Sequence, residues 1–318
     1  MENTPSVAPV VDLASQLRAS ISSVIEGKTE TVDMALIVLL AGGHLLIEDA
    51  PGLGKTMLAR TLAKAIDCSV RRIQFTADLL PSDITGVSIF SPDTRTFEFK
   101  PGGVFANVVI GDEINRASPK TQSALLEAME EQRVSVDGVT HELPNPFMVV
   151  ATQNPIEMQG TYPLPEAQRD RFMACIAMGY PSRAAEVAML DHHVSADPFA
   201  AVRPVADASR VLASMTIVRS VFVHPTLKEY IVEILERTRT DGRLLLGASP
   251  RAGLQWARAA MARAAILGRG YVIPEDISGL AVPVLAHRLI LANQRSDRRN
   301  TSEIVAELVA HVPQPRRV

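Results

Sequence analysis

Residues 48–60 read EDAPGLGKTMLAR. A phosphate-binding loop has the pattern Gly, four residues, then Gly-Lys-Ser/Thr. Gly54, Lys55 and Thr56 fit its end, but Asp49 stands where the leading glycine belongs. Context must decide so partial a match. Residues 44–48 form a short apolar strand pattern, and beyond Lys55 the residues Leu58, Leu62 and Ile66 recur every fourth position, with Ala59 and Ala63 beside them. Strand, glycine-bearing loop and apolar-faced helix is the order a phosphate loop requires. Gly52 and Gly54 let backbone N–H groups approach phosphate with no Cβ in the way, and the helix N-terminus adds its positive dipole end. Lys55 would contact the β- and γ-phosphates and Thr56 would hold Mg2+. Asp49, where the strand runs into the loop, can point its carboxylate away from the phosphates. Taken alone, the stretch also reads as a Gly/Pro turn between strand and helix.

A second constellation strengthens the first reading. VVIGDE (108–113) is an apolar strand ending in paired carboxylates. Asp112 would bind Mg2+ through its water shell and Glu113 would polarise an attacking water. An acidic pair at a strand end is common, but its coincidence with the loop points to ATP binding. FMVVATQN (147–154) is a third strand pattern, ending in Asn154, which could orient that water. An Asn before Pro155 also reads as a turn start.

Two hairpins interrupt this α/β pattern. RVSVDGVTHEL (133–143) has a central Asp-Gly, the strongest short hairpin signal, and a two-residue loop sets Val136 against Val139 and Arg133 against Glu142. IFSPDTRTFEF (89–99) is the second, with Phe97 and Phe99 on one face. Hairpins are commonly architecture; inserted in an α/β core they favour a working surface.

Strand and helix patterns alternate from 34 to 181, after a helical segment at 1–33 that leads into this core. A linker follows at 182–204, Pro-rich and small-residue between 196 and 204. The remainder, 205–318, reads as an all-α lid. Its helices are expected at 208–221, 227–238, 251–267 and 274–291, after one at 184–193. Residues 293–301 read as an exposed polar connection. Ser118-Pro119 and Ser249-Pro250 each supply an N-cap and a pre-set first turn.

Composition narrows the function. The 318 residues are 47% hydrophobic with a formal net charge of −3 and 4% aromatic content. No basic field draws nucleic acid, and few rings could stack bases. Cys68 and Cys175 have no metal-like spacing and read as core residues of a reducing cytosol. No signal-peptide pattern opens the sequence and no apolar run is long enough to span a bilayer. A cytoplasmic protein is expected.

The motifs GGHLLIEDAPGLGKT (42–56), RIQFTADLLPSDITG (72–86), IGDEINRASPKTQSALLEAMEE (110–131), ATQNPIEMQGTYPLPEAQRDRF (151–172) and SPRAGL (249–254) together resemble those of MoxR-type AAA+ ATPases, over residues 24–269. The resemblance implies an AAA+ P-loop core with two hairpin insertions, and a small helical lid. It implies ATP and Mg2+ as ligands, with the loop Asp49, Ala50, Pro51, Gly52, Leu53, Gly54, Lys55, Thr56 and Met57 around the phosphates and Gly27 by the adenine. In this family the leading loop glycine is not strict. Asn154 matches the sensor-1 position. Arg171 in DRF resembles an arginine finger reaching a neighbour's site, and Arg251 in SPRAG resembles sensor 2 on the lid. A hexameric ring acting on client or adaptor proteins, some with a von Willebrand factor A domain, is implied by the family alone. A DNA-acting motor shares this core, but no basic domain follows the lid. A nucleotide-gated scaffold with slow turnover is the other rival.

Overall fold

A computed structural model describes residues 6–154, 160–187, 189, 197–292 and 298–315. Its centre is a sheet of short strands, apolar and largely buried except at the edge strand Val70–Gln74, where Ile73 alone is buried. In chain order the strands are β1 (Leu45–Glu48), β2 (Val70–Gln74), β3 (Gly86–Ser91), β4 (Thr96–Pro101), β5 (Val108–Asp112), β6 (Arg133–Val136), β7 (Val139–Glu142), β8 (Met148–Gln153) and β9 (Ala174–Ile176). Five of these make one parallel sheet in the order β2-β5-β8-β1-β9. Such a sheet needs cover on both faces, so β1, β5, β8 and β9 carry apolar runs, while β2 at the edge is mostly exposed.

Alternation along each strand supplies two cores. Leu45, Ile47, Val108, Ile110, Met148 and Val150 face one side, where the helices Ala8–Ser22, Thr29–Leu40, Lys55–Ala65 and Pro250–Ile266 pack. Leu46, Val109, Val149 and Ala151 face the other, against Leu125, Leu126 and Met129 of the helix Pro119–Glu131. Period two in the strands thus becomes two layers of helix. The first core runs without interruption into the lid, where Trp256 is fully buried and its indole N–H donates to the Ile277 carbonyl at 2.9 Å. The expected boundary between residues 33 and 34 falls inside the helix Thr29–Leu40.

Both hairpins form. β6 and β7 pair with Val136 opposite Val139 and Arg133 opposite Glu142. Arg133, although opposite Glu142, turns to Glu131 two residues away, at 3.0 Å. β3 and β4 extend from Gly86 to Pro101, longer than the stretch read from sequence.

The lid is helical: Ala208–Arg219, Pro225–Thr240, Pro250–Ile266, Pro274–Ser278, Ala281–Leu285 and Arg298–His311. A short antiparallel ribbon, β10 (Leu244–Leu246) with β11 (Ile290–Leu291), adds to them. Ser249 caps its helix as expected, its hydroxyl accepting from Ala252 N. Two expectations are corrected. Residues 274–291 are not one helix, since the chain breaks at Gly279 and again after Leu285, and Pro283 brings no N–H to the ladder. Residues 298–301 are the start of a helix rather than a connection; 293–297 lie outside the described residues. The expected helix at 184–193 is seen over 183–187, and most of its remainder lies outside the described residues. Within the expected linker, Pro198–Ala201 is a short helix whose Phe199 ring sits 4.6 Å from both the Arg60 and Lys64 cations.

Candidate nucleotide-hydrolysis site

β1, β5 and β8 all run the same way, so the Asp49–Gly54 loop, the Asp112-Glu113 pair and Asn154 emerge at one end of the sheet. Ligands of open α/β sheets bind at these carboxyl ends. Gly52 and Gly54 have φ of +83° and +86°, the left-handed region that glycine enters without penalty. A Cβ built at Gly52 would meet nothing within 4 Å, so the loop lies open. Gly54 then caps the helix Lys55–Ala65, whose first N–H groups face that opening. Leu53 and Met57 are partly buried and pack on the apolar core behind, anchoring the loop, while Ala50 and Pro51 complete its outer turn.

The Lys55 ammonium donates to the Asp49 carbonyl. Burial pushes its pKa below the ordinary lysine value, opposed by the charges of Asp49, Asp112 and Glu113. The Thr56 hydroxyl lies 3.1 Å from both oxygens of Asp112, a carboxylate in a residue only 4% exposed. Thr152 bridges the acidic pair, its hydroxyl donating to Asp112 Oδ1 at 3.2 Å and accepting from Glu113 N at 3.0 Å. Glu113 itself has φ of +56°. A non-glycine residue held in that region is a strained position of the kind that gathers at working sites.

The structure adds residues to which the sequence assigned no role. The β2–β5 register sets Gln74 opposite Asp112 and Arg72 opposite Ile110. Arg72 Nε reaches Asp112 Oδ2 at 2.6 Å, and Gln74 Nε2 donates to Glu113 Oε2 at 3.0 Å. Arg116 Nε lies 2.9 Å from the same Glu113 oxygen. The signal for Arg72 and Gln74 was their two-residue spacing in VRRIQ, but it acquires meaning only when the strand's neighbour is known.

These residues fit a Mg2+ ion held together with a nucleotide. A hydroxyl beside a buried carboxylate offers two oxygens, which suits an ion that keeps its waters and takes phosphate oxygens as ligands. The Arg72 guanidinium at Asp112 shows that the position attracts positive charge. Among the described residues no group of three or more His, Cys, Asp or Glu could hold a metal, so the phosphates would have to complete the set.

Asp49 resolves the irregular loop pattern. Its Oδ1 accepts from Ala50 N at 2.8 Å and its Oδ2 from Gly179 N at 2.5 Å. The carboxylate therefore turns toward the segment after β9. Lys28 holds the same segment from the other side, donating to the carbonyls of Gly179 at 2.9 Å and Tyr180 at 2.7 Å. Gly27, at φ +69°, lies close to Ala185, so the stretches around 27, 49 and 179–185 meet beside the phosphate loop.

Arg171 and Arg251 lie elsewhere. Arg171 precedes β9, which runs parallel to β1, so it sits at the opposite end of the sheet from Lys55. With strands rising about 3.3 Å per residue, four residues of β1 alone separate the two ends by roughly 13 Å. There Arg171 Nε meets Glu130 Oε2 at 2.8 Å, and Arg251, in the first turn of its lid helix, bonds Oε1 of the same carboxylate. Glu130 is held below the usual carboxylate range, first by the Arg171 hydrogen bond and then by Arg251, against the effect of partial burial. A cavity of about 180 Å³ opens here, lined by His44, Glu130, Arg171, Arg251 and Arg258.

Fold and site together define a P-loop ATPase core with a helical lid. Residues 44–174 match the ATPase family associated with various cellular activities (AAA), and residues 236–308 match the AAA lid domain. The protein YeaC of Bacillus subtilis is 48% identical over 93% of this chain and 92% of its own. The chaperone MoxR1 of Mycobacterium tuberculosis is 41% identical over 91% of this chain and 78% of its own. A solved structure of an ATPase candidate from Cytophaga hutchinsonii superposes with a TM-score of 0.88 at 37% identity, covering 96% of both chains. The chain belongs to the MoxR-type AAA+ ATPases, and it is an ATP-hydrolysing enzyme.

Proposed function

We propose that the protein hydrolyses Mg2+-bound ATP as a ring of six copies in the cytoplasm, and uses the cycle to remodel partner proteins. One observation carries the ring: Arg171 and Arg251 converge on Glu130, a strand's length from their own Lys55. Two guanidinium groups gathered on one carboxylate form an anion site at a molecular surface. In a ring, the γ-phosphate of the adjoining copy would take the place of Glu130.

Within each site the geometry supports the following roles. Lys55 and the loop N–H groups hold the β- and γ-phosphates. Glu113 accepts a proton from the attacking water, with Asn154 orienting that water from the end of β8. Mg2+, held by Thr56 and Asp112, would neutralise charge on the phosphate oxygens. Arg171 from the neighbouring copy stabilises charge spread over the transferring group, a task suited to a planar, permanently charged guanidinium.

The client surface lies on the hairpins. Ile89 and Phe90 are each 50% exposed, Phe97 74% and Val139 56%, while Phe99 of β4 stacks on His141 of β7 with ring centroids 3.8 Å apart. The two hairpins thus form one apolar unit facing solvent. A protein client fits it, and proteins with a von Willebrand factor A domain are the class we favour.

The ring is tested by mixing Arg171→Ala with Glu113→Gln, each inactive alone. Interfaces pairing an intact Glu113 with an intact Arg171 exist only in the mixture, so ATPase activity should return. Co-assembly without any recovered activity would refute the shared site.

A further inference from the structure

The lid grips the strip of chain that carries Arg171. Arg288 lies beyond the helix breaks at Gly279 and Leu285, and its side chain is 2% exposed. Its Nη1 donates to Asp170 Oδ1 at 2.9 Å. Its Nη2 donates to the Phe172 carbonyl at 2.6 Å and the Met173 carbonyl at 3.3 Å, and to Gln255 Oε1. His287 Nε2 lies 3.1 Å from the Phe172 carbonyl, and the Ser249 hydroxyl 2.9 Å from each Asp170 oxygen. Gln255 also reaches the Arg171 carbonyl at 3.5 Å. Residues on both sides of Arg171 are therefore held by lid groups more than 75 positions away in the chain.

Burying a guanidinium is unfavourable unless it is paired and hydrogen-bonded, and apolar side chains join two packed bodies at least as well. Burial here pushes the Arg288 pKa down to about 10, with Asp170 opposing the shift. What the guanidinium adds is direction. Its planar fork fixes several acceptors in one arrangement, which an apolar contact or a lysine cannot do.

We propose that Arg288 is a positioning residue that sets the backbone of residues 170–173, so that Arg171 projects toward the adjoining copy, and that finger placement thereby follows the lid. This rests on the reading of Arg171 as a finger donated to a neighbour.

The test uses the full chain and the mixture of Arg171→Ala with Glu113→Gln. In that mixture the Glu113→Gln copy donates the finger and the Arg171→Ala copy supplies the hydrolysing site. Adding Arg288→Met to the Glu113→Gln copy should lower the restored activity by about tenfold or more, as small misplacements of catalytic groups do. Adding it to the Arg171→Ala copy should leave the restored activity within about twofold, because that copy donates no finger. A merely structural role would reduce both alike, and equal losses, or no loss in either placement, overturn the proposal. Should Arg288→Met fail to assemble, Arg288→Lys keeps the charge beside Asp170 without the fork, and the same asymmetry decides. A parent mixture that co-assembles without activity refutes the Arg171 reading first, and this proposal falls with it.

Discussion

Asp49 Oδ2 accepts the Gly179 backbone N–H at 2.5 Å, across 130 residues of chain. A glycine at position 49 would complete the common phosphate-loop pattern and lose this tie. The carboxylate and Lys28 together hold the 179–180 segment against the loop. Asp49→Gly is therefore expected to weaken nucleotide binding rather than improve it. A charge-assisted hydrogen bond contributes about 1.5–3 kcal/mol, so an affinity loss of roughly tenfold is expected. Titration with a fluorescent ATP analogue measures it. Unchanged or tighter binding would show the tie to be idle.

Lys55 and Glu113 separate binding from chemistry. The Lys55 ammonium sits on the Asp49 carbonyl of the loop, and Glu113, at φ +56°, follows β5 at the same sheet end; in the proposed mechanism they serve phosphate and water respectively. Lys55→Ala should lose nucleotide affinity outright. Glu113→Gln should bind normally, with turnover down by about 10²-fold or more, the range expected for a general base. Equilibrium binding beside steady-state hydrolysis gives both numbers. Near-normal turnover in Glu113→Gln removes it from the role of base and directs attention to Asn154.

Residues that depend on local pattern were legible before the structure. The strands β1, β5 and β8 are short apolar runs ending in polar groups, and the Asp-Gly turn fixed the register of β6 and β7. Lys55, Thr56, Asp112 and Glu113 meet because parallel strands deliver them to one sheet end. Residues that depend on distant pairing were not legible. Arg72 and Gln74 reach the acidic pair only because β2 lies beside β5. Arg288 reaches Asp170 only because the lid chain breaks where periodicity suggested a continuous helix. Even the hairpin shows the limit, since Arg133 stands opposite Glu142 yet binds Glu131.

His44 couples stability to pH at the sheet end that carries Arg171. Its Nδ1 accepts from Val149 N at 3.0 Å, so Nε2 carries the proton and donates to the Met129 carbonyl at 3.1 Å. The ring is buried and neutral, and burial lowers its pKa to about 4, with the Met129 bond opposing. The unfolded chain takes up a proton near pH 6.5, well before the folded one does. Stability from this group is therefore whole above about pH 6.5 and is lost progressively as pH falls toward 4. Between pH 7.5 and 5 the loss should be about 2 kcal/mol. His44→Gln keeps a donor and an acceptor but cannot titrate. It should be less stable than wild type at pH 7.5, because the amide fits the two backbone partners less well. Its urea midpoint should then fall less between pH 7.5 and pH 5 than that of wild type. Parallel losses in the two proteins would show that His44 is not the group that titrates.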